Sequence, residues 1–298
     1  MSSSRVIRPR VSIGMPVFNG ERYLEETLRA NLAQTYEDFE LIIADNASTD
    51  RTSQICQDFA ASDTRIKYLQ GAENVGAPGN YTRCFEPSVG EYFRWANVDD
   101  LPALKSLENC VNALDQHTDT VLVYGKTKII NENGELIELY EDMLNLQDER
   151  ASERFLRCLK DIGLSNVLFG LMRRESLART ALIGNYQASD INLIAELTLY
   201  GKFRELPDYL FSRRMHPGCS SWDRSEGDRQ LAFWDPSKSR LLMQTWRAIF
   251  AYFKAVHRST IPVSDKRAIN FYLCKKLYWG KEKLALETQQ LIKYKLGL

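Results

Sequence analysis

Short apolar runs alternate with segments of helical period along the first hundred residues. Four runs rich in β-branched and aromatic side chains are typical of buried strands: residues 11–17, 39–44, 66–69 and 92–96. Between them, apolar residues recur every three or four positions, as Leu24, Leu28 and Leu32 do. Strands that alternate with helices predict βαβ units, and therefore an α/β, Rossmann-like, mainly parallel sheet flanked by helices.

A polar loop follows each of the four predicted strands. The loop residues are Phe18 and Asn19, then Asp45, then Asn74 and Gly76, and finally Asp99 and Asp100. Because the loops at the carboxyl ends of parallel strands meet at one edge of the sheet, where ligands bind, we expect these residues to line one crevice. Its three carboxylates would suit a hard divalent cation, Mg²⁺ or Mn²⁺, that bridges a diphosphate.

A simpler interpretation of the acidic pair remains open. Asp99 and Asp100 precede Leu101 and Pro102, and Asp followed by Pro is a common way to start a helix. In that case the two carboxylates only cap a helix.

The second half of the chain gives a weaker pattern. It predicts a helix over residues 103–116, a strand over 121–124, a hairpin turn at 131–134 and a strand over 165–172. Ser189 and Asp190 then precede an apolar helical run and are expected to cap it.

Two arginines and a histidine follow in a stretch rich in Gly and Ser. Arg213 and Arg214 would supply fixed positive charge to an anionic ligand. His216 has three open interpretations: a packed loop histidine, a third metal ligand, or a hydrogen-bond donor to the diphosphate. The residues up to Arg229 are rich in Ser, Gly, Asp and Arg, which predicts a mobile lid.

The end of the chain is predicted to be helical and is strongly basic. Trp246, Ile249 and Phe253 repeat at helical spacing, and Ser264 with Asp265 is expected to cap a second helix. From position 240 onward there are 12 Lys and Arg against 3 Asp and Glu, although the whole chain has no net charge. This tail could pack on the body, form a homodimer, or make a peripheral contact with an anionic membrane surface.

Length and composition are those of an ordinary folded protein. The 298 residues, 44% hydrophobic and 26% charged, suit one large or two small domains. No apolar run approaches the roughly 18 to 20 residues of a membrane span, and the first ten residues lack a signal core, so we expect a cytoplasmic protein. The six dispersed cysteines form no CxxC pair, which agrees with reduced thiols.

Four ordered motifs resemble those of family 2 glycosyltransferases, enzymes that have the GT-A fold and use nucleotide-diphospho-sugars. The motifs are VSIGMPVFN at 11–19, IADNASTD at 43–50, NVG at 74–76 and WANVDD at 95–100. The similarity extends over roughly residues 10 to 220, and the order and separation of the motifs make it specific.

The resemblance implies roles for individual residues. It places Asp190 where the family has its general base, and Asp99 and Asp100 at the family's site for Mn²⁺ or Mg²⁺. Independently of the resemblance, His216 is the candidate third metal ligand. The residues expected to bind the nucleotide-sugar are Pro16, Phe18, Asn19, Asp45, Asn74, Gly76, Asn97, Asp99, Arg213 and Arg214.

Two of the motifs depart from the family pattern. The acidic motif begins with Asn97, where the family often has Asp, and an amide adds no charge to a metal site. After the second strand, Asn46 and Ala47 replace a common Asp and Gly. We interpret both departures as variation within the family.

The combined expectation is a metal-dependent inverting glycosyltransferase with a UDP- or dTDP-linked donor, acting in polysaccharide, lipopolysaccharide or glycolipid synthesis. Residues 1–110 would form its nucleotide-sugar half, 111–221 its acceptor half, and 222–298 a lid and helical extension. We expect a glycan or lipid-linked acceptor as partner and no nucleic acid.

Two other functions remain open. A nucleotide-sugar-binding protein without transfer activity has Asn97 as its one support. A nucleotidyltransferase would share the metal and diphosphate, but its usual glycine-rich, basic loop after the first strand is missing.

Overall fold

A computed structural model describes residues 8–219, 227–238 and 240–297. The first half contains β1 (Val11–Val17), α1 (Leu24–Leu32), β2 (Phe39–Asp45), α2 (Thr52–Ser62), β3 (Ile66–Gln70), α3 (Gly76–Phe85), β4 (Tyr92–Trp95), β5 (Leu101–Pro102) and α4 (Ser106–Gln116). The second half contains β6 (Thr120–Ile130), β7 (Leu136–Tyr140), α5 (Ala151–Asp161), a 3₁₀ helix (Asn166–Phe169), β8 (Leu171–Arg173), α6 (Arg174–Ala178), α7 (Ser189–Leu197) and β9 (Lys202–Arg214). Four helices follow: α8 (Gly227–Trp234), α9 (Gln244–Arg258), α10 (Val263–Trp279) and α11 (Lys281–Leu296).

Within the described part of the chain, nine strands form one mixed sheet. The order is β3-β2-β1-β4-β8-β6-β9-β5, and β7 pairs with β6 outside this path. The neighbours among β1 to β4 are parallel, and so are β6 and β9. Every antiparallel pairing involves β7, β8 or β9. The predicted α/β class and the helical extension are confirmed.

Helices cover both faces of this sheet. On β4, Tyr92 packs into the core that α1, α2 and α4 close, whereas Phe93 and Trp95 pack into a second core on the opposite face. This second core also contains Phe155 of α5 and Tyr252 of α9. One face of the tail is therefore part of the folded body.

The region after β4 differs from its prediction. Leu101 and Pro102 do not start a helix; they pair with Ser212 and Phe211 of β9. Helix α4 begins only at Ser106. Proline is tolerated in β5 because this strand lies at the edge of the sheet, where one side of the backbone has no partner strand. The interpretation of the acidic pair as a helix cap is wrong.

Two strands of the second half were also misjudged. The strand predicted over residues 165–172 is a 3₁₀ helix followed by the three residues of β8, after Ser165 adopts a left-handed φ of 62°. The long strand β9 was not predicted, because its charged and polar residues hide the alternation of a half-buried strand. The hairpin turn at 131–134 is confirmed, with Gly134 at a φ of +86°.

Candidate active site

The loops after β1 and β2 are joined by hydrogen bonds. The Asn19 Oδ1 atom accepts a bond of 2.8 Å from the backbone N–H of Thr49, and the Asn19 N–H donates to Ser48 Oγ at 2.9 Å. The Gly20 N–H donates to Thr52 Oγ1 at 2.8 Å. Asn19 has a left-handed φ of 49°, a conformation that asparagine tolerates better than most residues. The first two predicted site loops thus form one unit.

Asn46 joins the loops after β2 and β3. Its Nδ2 donates to Asn74 Oδ1 at 2.7 Å, and its Oδ1 accepts from the Val75 N–H at 2.9 Å. Asn74 Oδ1 also accepts from the Gly76 N–H at 2.9 Å. An aspartate at position 46 could not donate to Asn74, so the departure from the family pattern has a structural purpose. Sequence reasoning gave Asn46 no role.

Asp45 is completely buried and holds the second loop in shape. Its Oδ1 accepts from the Ser48 N–H, and its Oδ2 accepts from Ser53 Oγ at 2.6 Å and from the Tyr68 hydroxyl at 2.8 Å. Burial acts to raise the pKa of Asp45, but these hydrogen bonds outweigh it and the pKa lies below its usual value. A direct contact with a nucleotide base would require this carboxylate to become exposed.

Asn97 and Asp100 form a buried hydrogen-bonded pair after β4. Asn97 accepts from the Tyr81 hydroxyl at 2.9 Å and donates to Asp100 Oδ2 at 2.8 Å, and Asp100 Oδ1 accepts from the Arg214 N–H at 2.8 Å. Burial and the charge of Asp99 raise the pKa of Asp100 to about 7. A carboxylate at position 97 could not donate to Asp100, which explains the amide.

Asp99 faces His216, a residue 117 positions later in the chain. His216 Nε2 lies 2.9 Å from Asp99 Oδ2, and the side chains are 10% and 17% exposed. The Gly218 N–H donates to His216 Nδ1 at 3.0 Å, so the ring proton sits on Nε2 and is donated to Asp99. The Tyr23 ring packs against the imidazole at a centroid distance of 4.9 Å. The structure brings together two of the three predicted metal ligands.

Arg214 holds this acidic loop in place. Its guanidinium donates from Nε to the Asp99 carbonyl at 3.0 Å, from Nη1 to the Glu132 carbonyl at 3.1 Å and from Nη2 to Glu26 Oε2 at 2.7 Å. The residue is 2% exposed and lies over the Tyr23 ring. With these donors engaged, Arg214 positions Asp99 and Asp100 instead of facing a diphosphate as the sequence suggested.

Arg213 points to the other side of β9. Its Nη1 donates to the Leu164 carbonyl at 2.6 Å and to Asn166 Oδ1 at 2.7 Å. Burial raises the pKa of Asp100 and of Asp142, and the positive charge of Arg213 partly offsets this increase. Asp142 is 1% exposed and was not singled out from the sequence.

Asp190 lies in the first turn of α7. Burial raises the pKa of Tyr81, and the charges of Asp190, Asp99 and Asp100 add to this effect. Tyr81, which the sequence gave no role, is therefore near the candidate base as well as bonded to Asn97. Ser189 does not cap α7, since its hydroxyl donates to the Gly184 carbonyl at 2.7 Å.

The predicted lid is described only in its second part, because residues 220–226 lie outside the described residues. Helix α8 packs against α3. A Cβ atom on Gly76, which has a φ of +77°, would come within 3.0 Å of Pro236 just after α8. The Asn185 Nδ2 donates to Asp235 Oδ2 at 3.0 Å. This segment therefore contacts both the third donor loop and the loop that leads to Asp190.

The acidic loop can offer a divalent metal two protein ligands. In the part of the chain that the structure describes, no group of three or more His, Cys, Asp or Glu side chains is arranged as a metal site. Asp99 supplies one carboxylate, and His216 would add an imidazole once Nε2 gave up its proton and its bond to Asp99, whereas both oxygens of Asp100 already accept hydrogen bonds. Mg²⁺ and related ions commonly take one or two protein carboxylates and complete their shell with phosphate oxygens and water. The residues fit a metal that is bound together with a diphosphate.

The chain is similar to several known sequences. The sequence profile of glycosyl transferase family 2 matches residues 12–179. EpsE of Bacillus subtilis, whose name assigns it to the glycosyltransferases, is 36% identical over 110 residues, which are 37% of this chain and 40% of EpsE. An uncharacterised glycosyltransferase of Rickettsia typhi is 30% identical over 165 residues, which are 55% of this chain and 48% of that protein. The matches thus span less than half of each relative.

Solved structures share the fold. S. aureus TarS in complex with UDP-GlcNAc has a TM-score of 0.63 at 17% identity. The superposition covers 86% of this chain and 69% of the TarS chain. The mannosyltransferase PcManGT of Pyrobaculum calidifontis, in complex with GDP-Man and Mn²⁺, has a TM-score of 0.56 at 18% identity, with 94% and 74% covered. The expected GT-A architecture is confirmed.

Proposed function

The chain belongs to glycosyl transferase family 2, and on this premise we propose that it is an enzyme that moves a sugar from a nucleotide-diphospho-sugar to an acceptor hydroxyl with inversion. The observation that carries the proposal is the contact of 2.9 Å between Asp99 and His216, at the edge of the sheet where the four donor loops meet. Asp190 is proposed to act on the acceptor that is bound next to the donor, because transfer requires the two substrates to be held together.

The donor is proposed to be UDP- or dTDP-linked. TarS is described with UDP-GlcNAc and PcManGT with GDP-Man, so both neighbours support a nucleotide-sugar but not one base. Phe18 is 46% exposed on the first donor loop, and an exposed ring at this place can stack on a base. Pro16, Asn19, Asp45, Asn74 and Gly76 belong to the same loops and would shape the nucleotide pocket.

Asp99 and His216 are proposed to hold Mn²⁺ or Mg²⁺. Asp100 is proposed to stabilise the loop that carries Asp99, through its bonds to Asn97 and Arg214. When bound, such an ion neutralises the diphosphate and stabilises it as a leaving group. The buried Arg214 keeps the Asp99 carbonyl and Asp100 in position, so that the backbone of the acidic loop does not have to reorganise when the donor binds.

Asp190 is proposed to take the proton of the acceptor hydroxyl as the oxygen attacks the anomeric carbon. A positioned carboxylate in this role contributes roughly 10²- to 10⁴-fold to the rate. Its charge raises the pKa of Tyr81, whose hydroxyl is bonded to Asn97, which supports a base close to the acidic loop.

The acceptor is proposed to be a glycan or a lipid-linked sugar in polysaccharide, lipopolysaccharide or glycolipid synthesis, and the enzyme to act in the cytoplasm. Residues 1–110 would serve the donor, 111–221 the acceptor, and 222–298 would form lid and tail. No helix of the described residues is long and apolar enough to cross a membrane. Peripheral contact through the tail would bring the enzyme to lipid-linked acceptors.

A thermal-shift series on the full chain tests the donor site. UDP-, dTDP- and GDP-sugars are added with Mn²⁺, with Mg²⁺ or with a chelator. We expect at least one of them to raise the Tm only when metal is present, because binding to the native state alone stabilises it. If no nucleotide-sugar raises the Tm with either metal, the donor-site assignment is wrong.

A further inference from the structure

The outward face of helix α10 has no covering element among the described residues, and its composition is unusual. Phe271, Tyr278 and Trp279 are 64%, 68% and 65% exposed. Phe271 and Tyr278 lie roughly half a turn away from Ile269 and Leu273, which are completely buried against the body, and Trp279 lies about a quarter of a turn from Ile269. An exposed cluster of large aromatic side chains normally marks a binding surface.

Positive charge surrounds these aromatic residues. Residues 266–281 contain five Lys and Arg and no Asp or Glu. Lys275 Nζ lies 4.4 Å from the centroid of the Phe271 ring, and Lys281 Nζ lies 4.9 Å from that of Tyr278. The nearby Asp265 is buried and paired with Arg150, so it does not neutralise the outward face.

We propose that the outward face of α10, defined by Arg267, Phe271, Lys275, Tyr278 and Trp279, docks on an anionic lipid surface. Aromatic residues interleaved with lysines are the side chains that settle at a lipid–water interface, where the rings enter the headgroup region and the cations meet the phosphates. This inference deepens the proposed function, because it names the surface by which the enzyme would reach a lipid-linked acceptor.

A second copy of the chain fits this face less well. A symmetric dimer contact would place the face against itself and bring its cations together without carboxylates between them. The body of the protein is also unsuited as a partner, because it already covers the opposite face of α10 through α5 and α9. Charge complementarity therefore favours anionic lipid.

The rest of the fold agrees with this orientation. The chain is neutral as a whole, so the residues before position 240 carry a net negative charge that balances the basic tail. An anionic membrane would repel the body and attract the tail. Helix α9, which packs between α10 and α7, connects the proposed surface to the helix that carries Asp190.

Co-sedimentation with vesicles tests the proposal on the full chain, without donor or acceptor. We expect binding to phosphatidylcholine vesicles that contain phosphatidylglycerol, little binding to phosphatidylcholine alone, and release at high salt. The double variant Lys275→Glu/Lys281→Glu should bind at least about tenfold more weakly, since two attractive charges become repulsive. Equal charge changes at two exposed lysines of the body, Lys105→Glu/Lys128→Glu, serve as the control.

The aromatic contribution is tested separately. Phe271→Ser/Trp279→Ser should weaken vesicle binding about tenfold. Its control is Leu136→Ser/Ile137→Ser, which changes two exposed apolar residues of β7. All four positions are exposed, so we expect the Tm to be unchanged, and circular dichroism checks the fold.

Three results would overturn the proposal. One is no binding to anionic vesicles at low salt, and another is equal binding by the tail variants and their controls. The third is a wild-type protein that does not bind vesicles and forms a dimer in analytical ultracentrifugation, together with tail variants that are monomers. Failure of the donor site is a separate outcome, because vesicle binding needs no nucleotide-sugar.

Discussion

The donor loops and the acceptor side of the crevice are held in place by different parts of the chain. The donor loops bind one another across about one βα unit, as Asn19 with Thr49 and Asn46 with Asn74 show. The loop before Asp190 is instead bound to α9. The Gln187 N–H donates to Gln244 Oε1 at 2.8 Å, 57 residues later in the chain.

This difference indicates which part of the enzyme tolerates substitution better. Several polar groups of the donor loops bond to a neighbouring loop, so a substitution there disturbs more than one contact. The acceptor side is attached to the tail by fewer bonds, such as that of 2.9 Å from Asn192 Nδ2 to the Ala248 carbonyl. We expect donor-side substitutions to act on binding and rate, and tail substitutions to act mainly on stability.

The largest effect is expected at the centre of the donor side. Asp99→Asn removes the charge of the proposed metal ligand and leaves only a neutral oxygen to accept from His216, so kcat/KM should fall roughly 10⁴-fold. We expect weaker metal binding to account for about 10²-fold of this loss. Steady-state kinetics and calorimetric titration with Mn²⁺ measure the two parts. Asp208→Asn, on an exposed residue of β9, is the control. Unchanged metal affinity would contradict the assignment of Asp99.

The acceptor side should respond in rate alone. Asp190→Asn should lower kcat about 10³-fold and leave the affinity for the donor unchanged, because the amide cannot take the acceptor proton. Turnover and donor titration on the same preparation separate these quantities. Near-normal turnover would show that another group is the base.

Arg214 tests whether the donor side is preorganised. Arg214→Met leaves the Asp99 and Glu132 carbonyls without their donor, which should cost about 2–3 kcal/mol of unfolding free energy. Glu26 contributes little to this loss, since its side chain is 54% exposed and its charge is screened. Urea unfolding measures the change, with Arg51→Met as a control on an arginine that is 79% exposed. A loss no greater than that of the control would refute the positioning role.

The role of Asn97 can be tested through the pH dependence of stability. The pKa of Asp100 is raised to about 7, so between the unfolded value near 4 and pH 7 the folded state binds more protons and stability falls as pH rises. Asn97→Asp adds a third carboxylate and removes the donor to Asp100, so the variant should lose about 1–2 kcal/mol at pH 8 and less at pH 5.5. A Tm difference from wild type that is constant across this range would contradict the explanation for the amide.

The smallest effect on catalysis is expected in the tail. Asp265 is buried, is bonded to Ser152 and is paired with Arg150 of the body at 3.1 Å. Asp265→Asn should lower the unfolding free energy by about 1–2 kcal/mol, because it removes the charge that Arg150 faces. Thermal unfolding measures the loss, and kcat should remain within about twofold. A loss of activity as large as that of Asp190→Asn would show that the tail takes part in catalysis.

The local pattern was sufficient for the first half of the fold. Strands β1 to β4 were predicted to within one residue at either end, because each is a short apolar run bounded by polar loops, and parallel strands place those loops at one edge. The same reasoning failed at Leu101 and Pro102, whose strand partners Ser212 and Phe211 lie 109 or more residues away. No local signal indicates such a pairing.

The sequence by itself placed Asp99 and Asp100 at one edge of the sheet, since they follow a strand of the parallel sheet. It could not distinguish them, because the two adjacent residues have the same side chain. The tertiary structure decided: β9 brings the Arg214 N–H to Asp100 and the turn after it brings His216 to Asp99. Both oxygens of Asp100 accept hydrogen bonds in the interior, whereas Asp99 stays at the crevice. The difference arises because the long-range pairing of β9 places a backbone donor beside Asp100 and not beside Asp99.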